Sequence, residues 1–288
     1  GSELSVKVAN GELAFNRGTG ELTKWTVGGK DILISGLVPN FWRARTDNDS
    51  GDNWVAKKSG IWEKAAAERA LTSIDAREEK GVVVVTTKYT VGNGIAGLNI
   101  TYRVNGNGVV QVDGDFNPTK PDLPVIPRVG MNLVLKGDYK NLEWFGRGPQ
   151  ENYWDRKTGA AVGRYRSTVA EQYHDYSRPQ ETGNKADVRW FTLTNAAGNA
   201  VKFTADGVVP FSALPVLQTE PDHVRSNDDR RHGGLVDFRD IVSVNIDHVM
   251  MGVGGDNSWG YLPMDKYLVK AKPYSWRFTM QPVSRTGN

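Results

Sequence analysis

The chain has 288 residues, of which 39% are hydrophobic and 24% charged, and its formal net charge at pH 7 is +3. These values are typical of a globular protein, and no run of five or six basic residues points to nucleic-acid binding. The sequence contains no cysteine, which excludes disulfides, thiol nucleophiles and cysteine-bound zinc. Its apolar runs, such as Val82–Val85, are too short to span a membrane.

Short segments with alternating apolar and polar residues, bounded by Gly, Asn, Asp or Pro, occur along most of the chain. They cover residues 3–16, 20–34, 81–92, 97–118, 185–205 and 266–283. Period-two alternation with β-branched and aromatic residues predicts β-strands, and turns such as Asn10-Gly11 predict antiparallel hairpins. We therefore predict an all-β protein built on a large antiparallel sandwich, because no strand–helix–strand alternation supports a parallel barrel.

Helical patterns are few and short, at residues 59–73, 167–176 and 221–231. Residues 50–80 and 155–190 are predicted to leave the sheets as excursions. Since no linker divides the chain, we predict one domain over residues 1–288. The leading Gly1-Ser2 is typical of a cloning remnant, so we expect this domain to be a fragment of a longer enzyme.

The segment 45–54, RTDNDSGDNW, concentrates aspartates and asparagines. Alternating oxygen ligands of this kind are typical of calcium loops. However, Gly51 stands where a further ligand is needed, and no glutamate follows at the required spacing. A polar turn whose side chains bond their own backbone is therefore favoured.

The segment 144–156, WFGRGPQENYWDR, combines glycines, charges and aromatic residues. It does not match the glycine fingerprint of dinucleotide sites. Glu151 with Asp155, or with Glu181, is a conceivable acid/base pair of the kind glycosidases use. Carboxylate–arginine pairs that fix loops are the favoured alternative, and the arginines available for such pairs are Arg147, Arg156 and Arg178.

The histidines do not have the spacing of a metal site. His174-Asp175 and Asp247-His248 are adjacent pairs that could serve as general acid/base groups. Histidine on a polar loop is the simpler interpretation of both pairs.

Trp259 is the most informative aromatic residue, because it follows the glycine-rich stretch GVGGDNS at 252–258. Other tryptophans, such as Trp190 and Trp276, lie in strand patterns typical of the core. Indole rings stack on the apolar faces of sugars, while carboxylates and amides bind hydroxyls. Trp259, with Asp256 and Asn257 beside it, is therefore our candidate for substrate binding.

Four long motifs of the chain resemble one known family in order and spacing. They are FWRARTDNDSGDNW (41–54), WFGRGPQENYWDR (144–156), RPQETGNKADVRW (178–190) and NIDHVMMGVGGDNSWG (245–260). Together they resemble the C-terminal small-chain domain of lacZ-type β-galactosidases of glycoside hydrolase family 2. The resemblance implies a large antiparallel supersandwich, similar to galactose mutarotases.

The resemblance also implies that the catalytic residues lie elsewhere. In that family two glutamates on a separate (β/α)8 barrel of the same chain hydrolyse terminal β-galactosides, and the Mg and Na ions belong to other domains. A barrel needs about 250 residues, so this chain is expected to contribute no catalytic residue and no metal site. It is expected to complete the cleft, with Trp259 at the sugar-contacting position, in an enzyme that is a homo-oligomer and binds neither nucleic acid nor membrane.

A free-standing carbohydrate-binding or aldose-epimerase-like domain on the same fold is the alternative. Mutarotases use a histidine and a glutamate on the concave sheet face, and no segment here matches their motifs.

Overall fold

A computed structural model describes residues 1–9, 11–27, 29–222, 232–234, 236–255, 257 and 261–283. The strands are β1 (Glu3–Val8), β2 (Gly11–Asn16), β3 (Leu22–Val27), β4 (Lys30–Asp31), β5 (Leu33–Asn40), β6 (Ala70–Glu79), β7 (Val82–Val91), β8 (Ala96–Asn105), β9 (Val110–Pro118), β10 (Arg128–Lys136), β11 (Asn141–Gly148), β12 (Ala161–Thr168), β13 (Lys185–Thr194), β14 (Ala200–Leu214), β15 (Ile241–Met250) and β16 (Tyr274–Val283). The α-helices are α1 (Asp47–Ser50) and α2 (Trp54–Ser59), and 3₁₀ turns cover Gly51–Asn53, Gly60–Trp62, Ala170–Gln172 and Asp265–Tyr267.

The strands form two antiparallel sheets. Strands β1 to β4 make a four-stranded sheet in chain order. The other twelve strands form one large sheet, in which the order β12-β11-β13-β14-β16-β9-β8-β7-β6 continues through β14 into β15, β10 and β5. The prediction of an all-β antiparallel fold is therefore confirmed.

Strand β14 is the branch point of the large sheet. Its first part pairs with β16, from Ala200 to Ala205, whereas its last part pairs with β15, from Phe211 to Leu214. The strand therefore leaves one neighbour and joins another as it crosses residues 206–210. This change of partner opens a gap between β15 and β16 on that side of the sheet.

The core lies where these strands curl around one continuous cluster of buried hydrophobic side chains. Strand β8 shows the pattern clearly, because Leu98, Ile100, Tyr102 and Val104 are buried while the residues between them are partly exposed. Period-two burial of this kind directs one face of a strand into the core. Among the described residues, no helix is long and apolar enough to cross a membrane.

Several element predictions were wrong. The helix expected at 59–73 does not form, because α2 ends at Ser59 and β6 begins at Ala70. The excursions expected at 50–80 and 155–190 contribute β6 and β12 to the large sheet. At 167–176 only the short 3₁₀ turn at 170–172 is helical, and most of 221–231 lies outside the described residues. Strands β6 and β12 form by pairing with their neighbours in the chain, β7 and β11, because a strand is stabilised by its cross-strand contacts more than by its own sequence pattern.

Gly36 of β5 permits the close approach of the two sheets. A Cβ atom at this position would lie 1.6 Å from the carbonyl oxygen of Leu22 in β3. Backbone atoms cannot move aside as a flexible side chain can, so any larger residue would separate β3 from β5.

We expect Gly36→Ala to lower the free energy of unfolding by about 1–3 kcal/mol, the usual cost of overpacking. Chemical denaturation monitored by tryptophan fluorescence measures this change. Gly60→Ala is the matched control, because Gly60 has helical angles and open space around its Cβ position. An equal loss in both variants would contradict the assigned role of Gly36.

Candidate functional site

The glycine-rich segment that follows β15 is defined here as the glycine loop, residues 252–261. Strand β15 ends at Met250, and the structure describes the loop at 252–255, 257 and 261. Asp256 and Trp259 lie outside the described residues, so our expectations for these two side chains stay predictions. Asn257 is described and is exposed.

Arg43 fixes the start of the glycine loop from inside the protein. Its Nη1 donates to the carbonyl oxygen of Met251 at 2.6 Å, and its Nη2 donates to that of Gly252 at 3.0 Å. The same guanidinium forms a two-pronged ion pair with Asp49, at 2.9 Å from Nε and 2.8 Å from Nη2. Both side chains are almost fully buried. A buried bidentate pair of this kind has little freedom of orientation, so the loop begins at a fixed point.

Asn48 binds the backbone of the glycine loop before and after Trp259, and Asp155 binds it before Trp259. Asn48 Nδ2 donates to the carbonyl oxygens of Gly254 at 3.3 Å and Tyr261 at 2.9 Å. Asp155 Oδ2 accepts from the backbone N–H of Gly254 at 2.7 Å. Residues on both sides of Trp259 are therefore bound to one amide side chain.

The segment 45–54, expected as a polar turn, forms α1 and the 3₁₀ turn after it. Thr46 and Asp49 form a reciprocal capping box at the start of α1, which satisfies backbone N–H groups that a helix leaves open. Asp49 also binds Arg43, and the Asn48 side chain binds the glycine loop. Both side chains therefore make structural contacts. Among the described residues, no three His, Asp or Glu side chains lie close enough to hold a metal ion.

Arg147 and Asp155 tie the segment 144–156 to its surroundings. Arg147 Nε donates to Asp187 Oδ2 at 2.5 Å, and its Nη1 donates to the carbonyl oxygens of Lys157 and Ala160. Asp155 joins the same segment to the glycine loop, as described above. Segments 45–54 and 144–156 therefore meet at the glycine loop.

Glu151 is held by several hydrogen-bond donors. The Gly183 N–H donates to Glu151 Oε2 at 2.8 Å, and the Thr182 hydroxyl donates to the same oxygen at 3.1 Å. Tyr176 and Arg156 bind Oε1. Burial alone would raise the pKa of Glu151, but these donors hold it below its usual value. A carboxylate stabilised in its ionised form is a poor proton donor, which favours the structural interpretation of Glu151.

Glu181 and Asp247 belong to a different buried cluster, around Arg128. Arg128 Nη2 donates to Glu181 Oε1 at 3.2 Å, and its Nε lies 3.2 Å from Asp247 Oδ2. The second contact is an ion pair without hydrogen-bond alignment. Burial raises the pKa of Glu181, and it raises that of Asp247 to about 7, although Arg128 opposes both shifts.

The two histidine–aspartate pairs are separated in the structure. In β15, Asp247 is buried and His248 is exposed, because successive residues of a strand face opposite sides. Asp175 Oδ1 accepts from the backbone N–H of Gly234 at 2.8 Å, and the His174 ring packs edge-on against Tyr176. His174 therefore lies on a loop, as the simpler interpretation expects, whereas His248 lies within β15, so for His248 the loop interpretation was wrong.

Lys185, at the start of β13, lies beside the Glu151 network. Its Nζ donates to the carbonyl oxygen of Gly183 at 3.1 Å and lies 5.4 Å from the centre of the Trp144 ring. Only 2% of the residue is exposed. Burial lowers the pKa of this ammonium to about 8, and the charge of Glu151 offsets only part of that effect.

Sequence reasoning missed the residues that hold the glycine loop. Arg43, Asn48 and Asp155 stood inside motifs that were singled out, but their partners lie about 100 to 210 positions away in sequence. The one available signal was local: Thr46 and Asp49 have the spacing of a capping box, which predicts a helix start in place of a turn.

Comparison with known proteins finds one matching family model and several similar sequences. A family model described as "Beta galactosidase small chain" matches residues 7–280. A "Beta-galactosidase" of Priestia megaterium is 34% identical over 97% of this chain, and one of Lactobacillus delbrueckii subsp. bulgaricus is 31% identical over 97%. The matches cover 26% and 27% of those two proteins, so the chain spans about a quarter of the length of the relatives.

Solved structures with a similar fold confirm the predicted supersandwich class. A galactose mutarotase related enzyme from Lactobacillus acidophilus superposes with a TM-score of 0.52 at 8% identity, covering 99% of both chains. An aldose epimerase homologue from C. elegans gives a TM-score of 0.52 at 8% identity over 98% of both chains. At such low identity the likeness concerns the fold alone.

We expect the stability difference between the protein and its Lys185→Met variant to depend on pH. An unfolded lysine has a pKa near 10.5 and the folded one about 8, so the unfolded state binds more protons between these values. The contribution of Lys185 to stability therefore rises as pH increases from 8 to 10.5, by roughly 3 kcal/mol at most. Urea denaturation of both proteins at several pH values measures the difference. Curves that stay parallel would contradict a lowered pKa.

Proposed function

Because the chain belongs to the β-galactosidase small-chain family, we propose that it is the C-terminal part of a larger retaining β-galactosidase of glycoside hydrolase family 2. In this proposal the chain forms one wall of the galactoside cleft. The two catalytic glutamates are assigned to a (β/α)8 barrel in the rest of that enzyme.

The coverage of the relatives supports a division of labour between parts of a longer protein. The chain corresponds to about a quarter of each β-galactosidase described above, which leaves ample length for a barrel of about 250 residues. The arginine contacts of Glu151 and Glu181 agree with this division of labour. Glu151 and Glu181 are occupied by different arginines, whereas retaining hydrolysis needs two free carboxyl groups about 5–5.5 Å apart across the sugar bond.

The anchored glycine loop is the observation that carries the role proposed for this chain. Arg43 fixes its start, and Asn48 binds both Gly254 and Tyr261. Hydrogen bonds that restrain Gly252, Gly254 and Tyr261 reduce the entropy that the described part of the loop loses when a ligand binds. In our proposal Trp259 stacks on the leaving-group sugar, and Asp256 and Asn257 bind its hydroxyls.

In this proposal, metal binding and the contacts between subunits belong to the rest of the longer enzyme. The described His, Asp and Glu side chains form no group suited to a metal, so in this proposal any Mg or Na ion is held by other domains. The alternative of a free-standing epimerase-like domain is supported by fold likeness at 8% identity, and no site geometry among the described residues adds to it.

The 288-residue chain alone should not hydrolyse a chromogenic β-galactoside, because the proposed nucleophile and acid/base group lie outside it. Release of the chromophore by purified protein, compared with buffer, measures this. The variants Glu151→Gln and Glu181→Gln are the controls. Hydrolysis that disappears in either variant would contradict the proposal and would return these carboxylates to a catalytic role.

In the complete enzyme, Trp259→Ala should weaken binding of the leaving-group sugar by about 1–3 kcal/mol, as expected for loss of a buried aromatic contact. Steady-state kinetics with a disaccharide and with an activated aryl galactoside measure the effect. The disaccharide should be affected more, since an aryl leaving group depends less on a sugar platform.

Trp190→Ala is the matched control for this experiment. Trp190 lies on β13 and contacts Phe145 and Arg164, away from the glycine loop. If both tryptophan variants changed the two substrates to the same extent, the assigned role of Trp259 would be wrong.

A further inference from the structure

Two arginines and three carboxyl groups form one buried cluster beside the end of β15, which we call the arginine–carboxylate cluster. Arg128 of β10 lies 3.2 Å from Glu181 Oε1 and 3.2 Å from Asp247 Oδ2, and Arg43 is paired with Asp49 of α1 at 2.8 Å. All five residues are at most 6% exposed. Burial raises the pKa of Glu181, and the charges of Arg128, Arg43 and Asp49 all act on it. The two sets of ion pairs therefore belong to one electrostatic group.

The arginine–carboxylate cluster has one more negative charge than positive when its three carboxyl groups are all ionised. The nearest other charged groups among the described residues are Asp155, which is itself negative, Glu151 with Arg156 and Lys185, and Arg45 with Asp222. They are paired among themselves or add negative charge, so they do not balance the cluster. An uncompensated charge is strongly disfavoured in the interior, and a buried carboxyl group takes up a proton instead.

Asp247 is the carboxyl group that the fold stabilises least as an anion. Asp49 accepts two hydrogen bonds from Arg43 and one from a backbone N–H, and Glu181 accepts one from Arg128. Neither oxygen of Asp247 accepts a hydrogen bond among the described residues, although Arg128 lies beside Oδ2. A buried carboxylate without donors has lost its contacts with water and gained no replacement, so the neutral acid is favoured.

The register of β10 and β15 places Asp247 against the backbone of its neighbour strand. The pairing shifts between Val129 and Gly130, so that His248 is an extra residue of β15 at this point. A Cβ atom on Gly130 would lie 2.2 Å from Asp247 Oδ1. The backbone of β10 therefore covers this oxygen, and 0% of the Asp247 side chain is exposed.

We propose that Asp247 carries a proton in the folded protein in mildly acidic to neutral solution, and that the arginine–carboxylate cluster is a pH-sensitive connection between β10, β15 and the segment before β13. Loss of the proton leaves an extra buried negative charge, which favours opening of the cluster to water. Arg128 also contacts Met250 Sδ at 3.1 Å, at the last residue of β15. The opening should therefore reach the start of the glycine loop. This inference concerns the fold of the chain and does not depend on the function proposed above.

The stability of the chain should depend on pH through this group. Burial raises the pKa of Asp247 from 3.8 to about 7, so between these values the folded state binds more protons than the unfolded state. The stability that Asp247 contributes is complete below pH 3.8 and is lost as the pH rises to about 7. The folding equilibrium constant should fall by up to about tenfold per pH unit in this range.

Urea denaturation of the 288-residue chain and of Asp247→Asn at several pH values measures this dependence, because asparagine does not titrate. The folding constant of the unchanged protein, divided by that of the variant, should fall as the pH rises. A ratio that stays constant with pH would overturn the proposal.

Glu181→Gln tests the charge balance of the cluster. It removes one negative charge, so Asp247 should lose its proton at lower pH and the pH dependence should shrink. Asp206→Asn is the matched control, because Asp206 is exposed and lies 4.0 Å from Arg277 at the surface. This variant should keep the pH dependence of the unchanged protein. An equal pH dependence in Glu181→Gln and the unchanged protein would contradict a shared charge balance and overturn the proposal.

Carbon-13 NMR of protein labelled at the aspartate carboxyl carbons identifies the group that holds the proton. At about pH 5.5, where an ordinary aspartate is ionised, one aspartate carboxyl should still have the chemical shift of the neutral acid. This first observation needs no variant, and the resonance should be absent from Asp247→Asn. Absence of any neutral aspartate at this pH, or a neutral resonance that persists in Asp247→Asn, would overturn the proposal.

Amide hydrogen exchange of residues 247–255 measures the connection to the glycine loop. Relative to the intrinsic exchange rate at each pH, exchange should increase between about pH 5.5 and about pH 8 in the unchanged protein, because local opening becomes easier. It should not increase in Asp247→Asn. An increase of the same size in both proteins would show that Asp247 does not control this segment, which overturns the pH-sensitive connection.

Discussion

The buried ion pair between Arg43 and Asp49 is the constraint on which the candidate site depends. A charge in the interior is costly unless it is paired and its remaining hydrogen-bonding groups are satisfied. Arg43 meets this requirement by binding Asp49 and the carbonyl oxygens of Met251 and Gly252. The pair therefore joins the start of α1 to the backbone that directly follows β15. Such a pair adds orientation more than stability.

The glycine loop contains several glycines, and hydrogen bonds restrain its backbone at Gly254 and Tyr261. Its glycines allow close approach, as at Gly255, where a Cβ atom would lie 2.4 Å from the carbonyl oxygen of Tyr261. Asn48 and Asp155 supply the restraint through hydrogen bonds to backbone groups. A ligand-binding role for Trp259 is consistent with this arrangement.

Strand β14 places a cavity next to this loop as a consequence of its topology. A strand that pairs with β16 and then with β15 must separate from the first partner before it meets the second, and the sheet opens between them. A cavity of about 190 Å³ lies at this opening, lined by Val208, Val209 and Pro210 of β14 and by Met250 and Met251 before the glycine loop.

The sequence by itself determined the strand character, the hairpins at 3–16 and 97–118, and the family. Alternation and turn residues are local, and long motifs keep their order along the chain. Only the tertiary structure decided that β6 and β12 join the large sheet, that Asp247 faces Arg128 instead of His248, and that Asn48 binds the glycine loop. The contacts of Asp247 and Asn48 join residues far apart in sequence, and β6 and β12 form by pairing with the neighbouring strands β7 and β11. Local patterns carry no information about such pairings, because the energy that selects them comes from burial and hydrogen bonds formed on folding.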